Sequence, residues 1–173
     1  MKEAYPNRRF FFLRTWLLFF LLLPCLIFIA PSVFLVHIDP LFHSASEDRF
    51  LKMNCKAHQG EAKNNITQIN HAQRTYYSRY AKFTSSQKIL GSLIESKAYT
   101  YSIRITAIAA FNYAIPRQNY QDHKGYVGAV FVDSQGSSYS IECKSERLGV
   151  KLLADPTYQN GVLACGAGTR QVK

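Results

Sequence analysis

A chain of 173 residues, 47% hydrophobic and 18% charged, has room for one folded domain beside a membrane segment and is too apolar for a disordered chain. Its net charge of +10 raises nucleic acid as a partner, but residues 1–81 hold ten Lys/Arg against five Asp/Glu, and residues 82–173 hold eleven against six. Each part is therefore +5, without a basic block, and reads as a solvated surface before it reads as a binding stripe.

From Thr15 to Val36 no residue is charged, and Trp16, Leu17–Leu23, Leu26–Ile29 and Val33–Val36 form a nearly continuous apolar run. As a helix these residues reach about 33 Å, close to the roughly 30 Å hydrocarbon core of a bilayer. Lys2, Arg8, Arg9 and Arg14 precede the run against Glu3 alone. The positive-inside rule then places 1–14 in the cytoplasm, 15–36 across the membrane and everything after His37 outside it. Pro24 and Pro31 interrupt the run, which membrane helices tolerate where neighbours satisfy the freed backbone groups. A cleaved signal peptide needs a shorter apolar region with a small-residue site beside it. The best such site, Ser44-Ala45-Ser46, lies well past the run, so a retained inner-membrane anchor is the preferred reading. Residues 37–56, with Pro40 and the polar stretch His43–Arg49, follow as a connector.

A globular domain is expected over 57–173. Ala62, Ile66, Ile69, Gln73, Tyr76 and Tyr80 recur at spacings of 4, 3, 4, 3 and 4, one face of a helix predicted over about 57–81. Ala62, Ile66, Ile69, Tyr76 and Tyr80 are its expected packing seam. Tyr99, Tyr101, Ile103 and Ile105 then alternate with polar residues as in a half-buried strand. Ile108–Ile115 is a second run, ended by Pro116, and Tyr126–Val132 a third, apolar apart from Gly128. Asp133-Ser134-Gln135-Gly136 reads as a hairpin turn from which Ser138–Cys143 returns. The predicted fold is α+β: a transmembrane helix, then an amphipathic helix packed on a four-stranded antiparallel sheet. Leu148–Lys173, with Pro156, Gly161, Gly166 and Gly168, is predicted to be an irregular tail.

Cys25 lies inside the apolar run and reads as a small hydrophobe. Outside the cytoplasm Cys143 and Cys165 can pair and fasten the tail to the sheet; pairing that involves Cys55 stays open at this level. No CxxC motif and no Cys/His pair at ligand spacing is counted, so no metal site is expected. His37, His43, His58, His71 and His123 are scattered, and no Ser/His/Asp order, HExxH motif or phosphate-binding glycine loop occurs. Neither catalysis nor a cofactor is expected.

Several blocks resemble, in order, the type IV pilin-like G and H family. They are Glu61-Ala62-Lys63-Asn64-Asn65-Ile66 through Asn70-His71-Ala72-Gln73-Arg74-Thr75-Tyr76-Tyr77, then Phe111-Asn112-Tyr113-Ala114 and Tyr126–Phe131. The tail blocks Ala154-Asp155-Pro156-Thr157-Tyr158 and Gly161–Gly166 complete the series. The resemblance implies a structural subunit of a type IV pilus or a type II secretion pseudopilus, packing with other pilin-like subunits and the assembly platform at the membrane. It supplies no catalytic residues. Family members carry a basic leader ending in Gly, followed by Phe-Thr-Leu-Ile-Glu. Here the first glycine is Gly60 and no acid occurs between Glu3 and Asp39, so ordinary prepilin processing is not expected, and a non-assembling paralogue is one alternative. The other is a minor pilin that binds DNA through Arg104, Arg117 and Lys124 on the sheet's outer face; a solvated basic surface is the favoured reading of those residues.

Overall fold

The computed structural model describes residues 47–91 and 94–172. The chain divides into two units, Met1–Leu51 and Lys52–Lys173. Of the first only 47–51 is described, helical and exposed throughout. The cytoplasmic segment 1–14, the transmembrane segment 15–36 and the start of the connector lie outside the described residues. Among the described residues no helix is long and apolar enough to cross a membrane.

Helix α1 covers residues 47–80 and so is already formed well before its predicted start near 57. The physical reason is local: no Pro or Gly occurs between 47 and 59, and Glu47 and Asp48 favour the N-terminal end of a helix dipole. Ala81 stops the helix at φ 47°, its N–H donating to Tyr77 O at 2.8 Å.

The strands are β1 (Tyr99–Ile105), β2 (Ala109–Pro116), β3 (Lys124–Val132), β4 (Ser138–Leu148), β5 (Thr157–Gln159), β6 (Val162–Ala164) and β7 (Thr169–Gln171). Five of them form an antiparallel sheet in the order β1-β2-β3-β4-β7, and β5-β6 is a separate two-stranded ribbon. The expected four-stranded meander is therefore extended by β7, which pairs Cys143–Ser145 of β4 with Thr169–Gln171. The tail predicted to be irregular supplies three short strands. The turn after β3 is held by Asp133, whose Oδ1 accepts from the N–H groups of Gln135 and Ser137 at 2.9 and 2.8 Å, with Gly136 at φ 83°.

The sheet is covered on both faces. On one, Ala62 and Ile66 of α1 pack with Tyr99, Ala114 and Tyr126, while Phe83 and Tyr77 pack with Ala110, Val130 and Val132. On the other, Phe111, Val127, Phe131 and Ile141 are covered by Leu153, Val150, Tyr158 and Leu163 from the tail. This explains why β3 is apolar at nearly every position: a strand buried on both faces loses the alternation of a half-buried one. The Cys143–Cys165 disulfide ties β4 to that cover.

Helix and sheet meet closely at Gly128. A Cβ there falls 2.6 Å from Ile66 Cγ2 and 2.6 Å from Asn70 Oδ1, nearer than real carbons approach. Asn70 itself donates to Ile141 O at 3.3 Å and accepts from Asn112 Nδ2 at 2.8 Å, so its position cannot relax freely. Gly128→Ala is expected to destabilise the domain by about 1–3 kcal/mol through overpacking, read as a lower urea midpoint; an unchanged midpoint refutes the close fit. Cys143→Ala with Cys165→Ala is expected to lower stability by about 3 kcal/mol on loop-entropy grounds. Differential scanning calorimetry on the oxidised wild type and the double variant measures it.

Candidate functional site

The helix seam predicted from the sequence packs within the domain. Ala62, Ile66 and Ile69 are buried, Tyr76 is half-buried and Tyr80 is 57% exposed. The inclusion of Tyr80 in the seam is corrected: after Gln73 the buried line passes to Tyr77, whose ring lies 4.8 Å from Phe83, and Tyr80 stacks outside on Tyr76 at 4.6 Å. A spacing of three or four residues fits both lines, and the chain's return after Ala81 selects between them. Gln73, the polar member of the stripe, is fully buried. Its amide donates to Thr84 O at 2.6 Å and accepts from Thr84 N at 3.3 Å, replacing two bonds to water with two to backbone.

The outer sheet face carries the tail rather than an open basic surface. Arg104 binds Asp155 and Tyr113 and lies 4.3 Å over the Phe111 ring. Asp155 also accepts from the Tyr113 hydroxyl. Arg117 Nε donates to Tyr99 O at 3.2 Å. Lys124 Nζ donates to the carbonyls of Ser145 and Glu146 at 3.3 and 2.9 Å. All three residues singled out for DNA thus have partners within the chain. Lys144 stands near Arg170, Lys124 and Lys63; burial first and then those three cations hold its ammonium below the usual lysine range.

A third constellation forms where α1 meets the segment between β2 and β3. The short 3-10 turn Gln118–Tyr120 delivers Asp122 and His123 to Cys55 and His58 of the helix. His123, only 3% exposed, lies with Nδ1 2.7 Å from Asp122 Oδ1 and 3.8 Å from Cys55 Sγ, and with Nε2 3.3 Å from His58 Nδ1. Tyr120 meets the two imidazoles edge-on, with centroids 5.4 Å from His58 and 5.2 Å from His123. The Tyr99 ring is 6.0 Å from His123, and its hydroxyl donates to Lys124 O at 3.0 Å. Burial, with smaller contributions from Tyr126, Tyr101, Cys55 and Asp122, raises the Tyr99 hydroxyl far above the usual tyrosine range, so Tyr99 stays neutral. Sequence reading missed this group. Cys55 and His58 do stand three apart on one helix face, a ligand-like spacing, but Asp122 and His123 come from the β2–β3 connection, more than 60 residues on, and no local pattern joins them.

The described residues thus seat a helix on one face of the sheet and lock the tail over the opposite face. The family model for type IV pilin-like G and H proteins matches residues 59–166, from α1 to just past Cys165. That range holds the helix seam, β1 to β6 and the disulfide. No curated protein and no solved structure matches the chain significantly. With well over half of its residues inside that match, the chain belongs to the type IV pilin-like G and H family.

Proposed function

We propose that this chain is a membrane-anchored, non-enzymatic pilin-like subunit that works by packing against other pilin-like subunits in a type IV pilus or a type II secretion pseudopilus. The family match over 59–166 is the observation that carries the reading. The uncharged run 15–36 with basic residues ahead of it supports a single-pass anchor with the N-terminus in the cytoplasm and the globular domain outside. A disulfide between Cys143 and Cys165 agrees with an oxidising compartment for that domain.

Further support comes from α1. Phe50, Leu51 and Met53 are each more than 60% exposed, an apolar series of the kind that helical subunits bury against one another. The DNA-binding alternative is weakened by the internal partners of Arg104, Arg117 and Lys124.

Two measurements test the proposal. Cross-linking the tagged full chain in its native cells is expected to yield adducts with pilin-like subunits in the membrane or sheared-filament fraction, reduced when Phe50 and Met53 are both changed to Glu. Monomer alone under conditions that cross-link a known filament overturns it. For the anchor, mass and N-terminal sequencing of the membrane-purified chain are expected to give an N-terminus at or next to Met1. A mature chain beginning past residue 44 refutes the anchor and leaves the packing reading to the cross-linking result.

A further inference from the structure

A cluster of donor groups stands where α1 meets the β2–β3 connection. Cys55 is the free cysteine among the described residues and is half-buried. Cys55, Asp122 and His123 each offer one donor atom, all within 4.8 Å of one another. In a tetrahedral zinc site, bonds of about 2.3 Å to sulfur and 2.0–2.1 Å to nitrogen and oxygen put donors roughly 3.3–3.6 Å apart. Cys55 Sγ and His123 Nδ1, at 3.8 Å, need to close by only a few tenths of an ångström. Asp122 Oδ1, now hydrogen-bonded to the same nitrogen at 2.7 Å, needs to move outward, and its 68% exposed side chain is free to do so.

The surroundings fit a ligand set. His123 is fixed on its other nitrogen by His58 at 3.3 Å. With Nδ1 given to a cation, Nε2 carries the proton and donates it to His58 Nδ1, which is how metal-bound imidazoles are held in one tautomer and orientation. Gln59 Nε2 donates to Cys55 Sγ at 3.0 Å, which orients the sulfur. One thiolate and one carboxylate balance a divalent charge. A sulfur, nitrogen and oxygen set of this kind suits zinc rather than magnesium or calcium, which take oxygen ligands.

We propose that Cys55, Asp122 and His123 bind a divalent transition metal of the zinc type, with His58 positioning His123 and solvent in the fourth place. Starting from two neutral imidazoles, binding releases one net proton, that of the Cys55 thiol, because the Nδ1 proton of His123 is replaced by one on Nε2. The metal fastens α1 to the β2–β3 connection across a sequence separation of 68 and shields an otherwise oxidisable thiol.

Titration of the purified full chain with Co²⁺ tests this. The expected result is one equivalent bound with a thiolate-to-cobalt charge-transfer band and intense visible bands of tetrahedral cobalt, both displaced by Zn²⁺. Cys55→Ser is expected to abolish the charge-transfer band and Cys25→Ser to leave it intact. Asp122→Asn, at an exposed position, is expected to weaken binding while the circular dichroism stays native. His58→Gln is expected to weaken it about 10–100-fold, as loss of an outer hydrogen-bond partner does. No cobalt spectrum, a band that survives Cys55→Ser, or Cys55 found in a disulfide-linked dimer on non-reducing electrophoresis overturns the assignment. None of these results bears on filament packing, which is read by cross-linking.

Discussion

The contact on which the domain depends is the seating of α1 at Gly128. The absence of a side chain there lets Ile66 and Asn70 approach the backbone of β3, and everything on that face is arranged around the approach. Asn70 reaches across to Ile141 O of β4 and to Asn112 of β2, so one helix residue is bonded to both strands that flank Gly128. Where α1 meets the sheet, this polar pair supplies direction where apolar contacts supply only attraction: sliding α1 along the sheet strands two buried amides. The link is not fully satisfied, since Asn112 Oδ1 lacks a hydrogen-bond partner among the described residues.

The second organising fact is that the sheet has no free apolar face. Segment 150–165 covers the side opposite α1, and Asp155 within it gathers Arg104 and Tyr113. Arg104, which looks available in the sequence, is thereby committed to holding the tail. Surface charge counted from sequence overstates what a ligand can use, because Lys and Arg also serve as donors to carbonyls, as Lys124 does to Ser145 and Glu146.

Much of this architecture was legible in the residues. The spacing of Ala62, Ile66 and Ile69 announces a buried helix face, and the alternation of Tyr99 to Ile105 announces β1. The Asp133–Gly136 turn announces the β3–β4 hairpin. What escaped has physical causes. β5, β6 and β7 have three residues each, too few to show a period of two. In the part of α1 before Cys55, Phe50, Leu51 and Met53 are apolar but all exposed, so no buried stripe advertises it. Tyr80 shares its spacing with the seam, but a helix that ends at Ala81 leaves it beyond the sheet contacts that hold Tyr77. The Cys55–His123 contact joins residues 68 apart in sequence, and only the folded topology states such a neighbourhood.

The disulfide has a consequence for damage. Cys143 and Cys165 close a covalent ring that contains the β5–β6 ribbon and the strongly exposed Leu152 beside Lys151. A single peptide cut at that exposed point opens a ring and not a chain: both new ends remain joined through sulfur, and Leu153, Tyr158 and Leu163 keep their places over the sheet. The same cut between β1 and β2 has no such bond to bridge it. At Leu152, 87% exposed, a protease thus meets a stretch whose breakage leaves both pieces covalently joined.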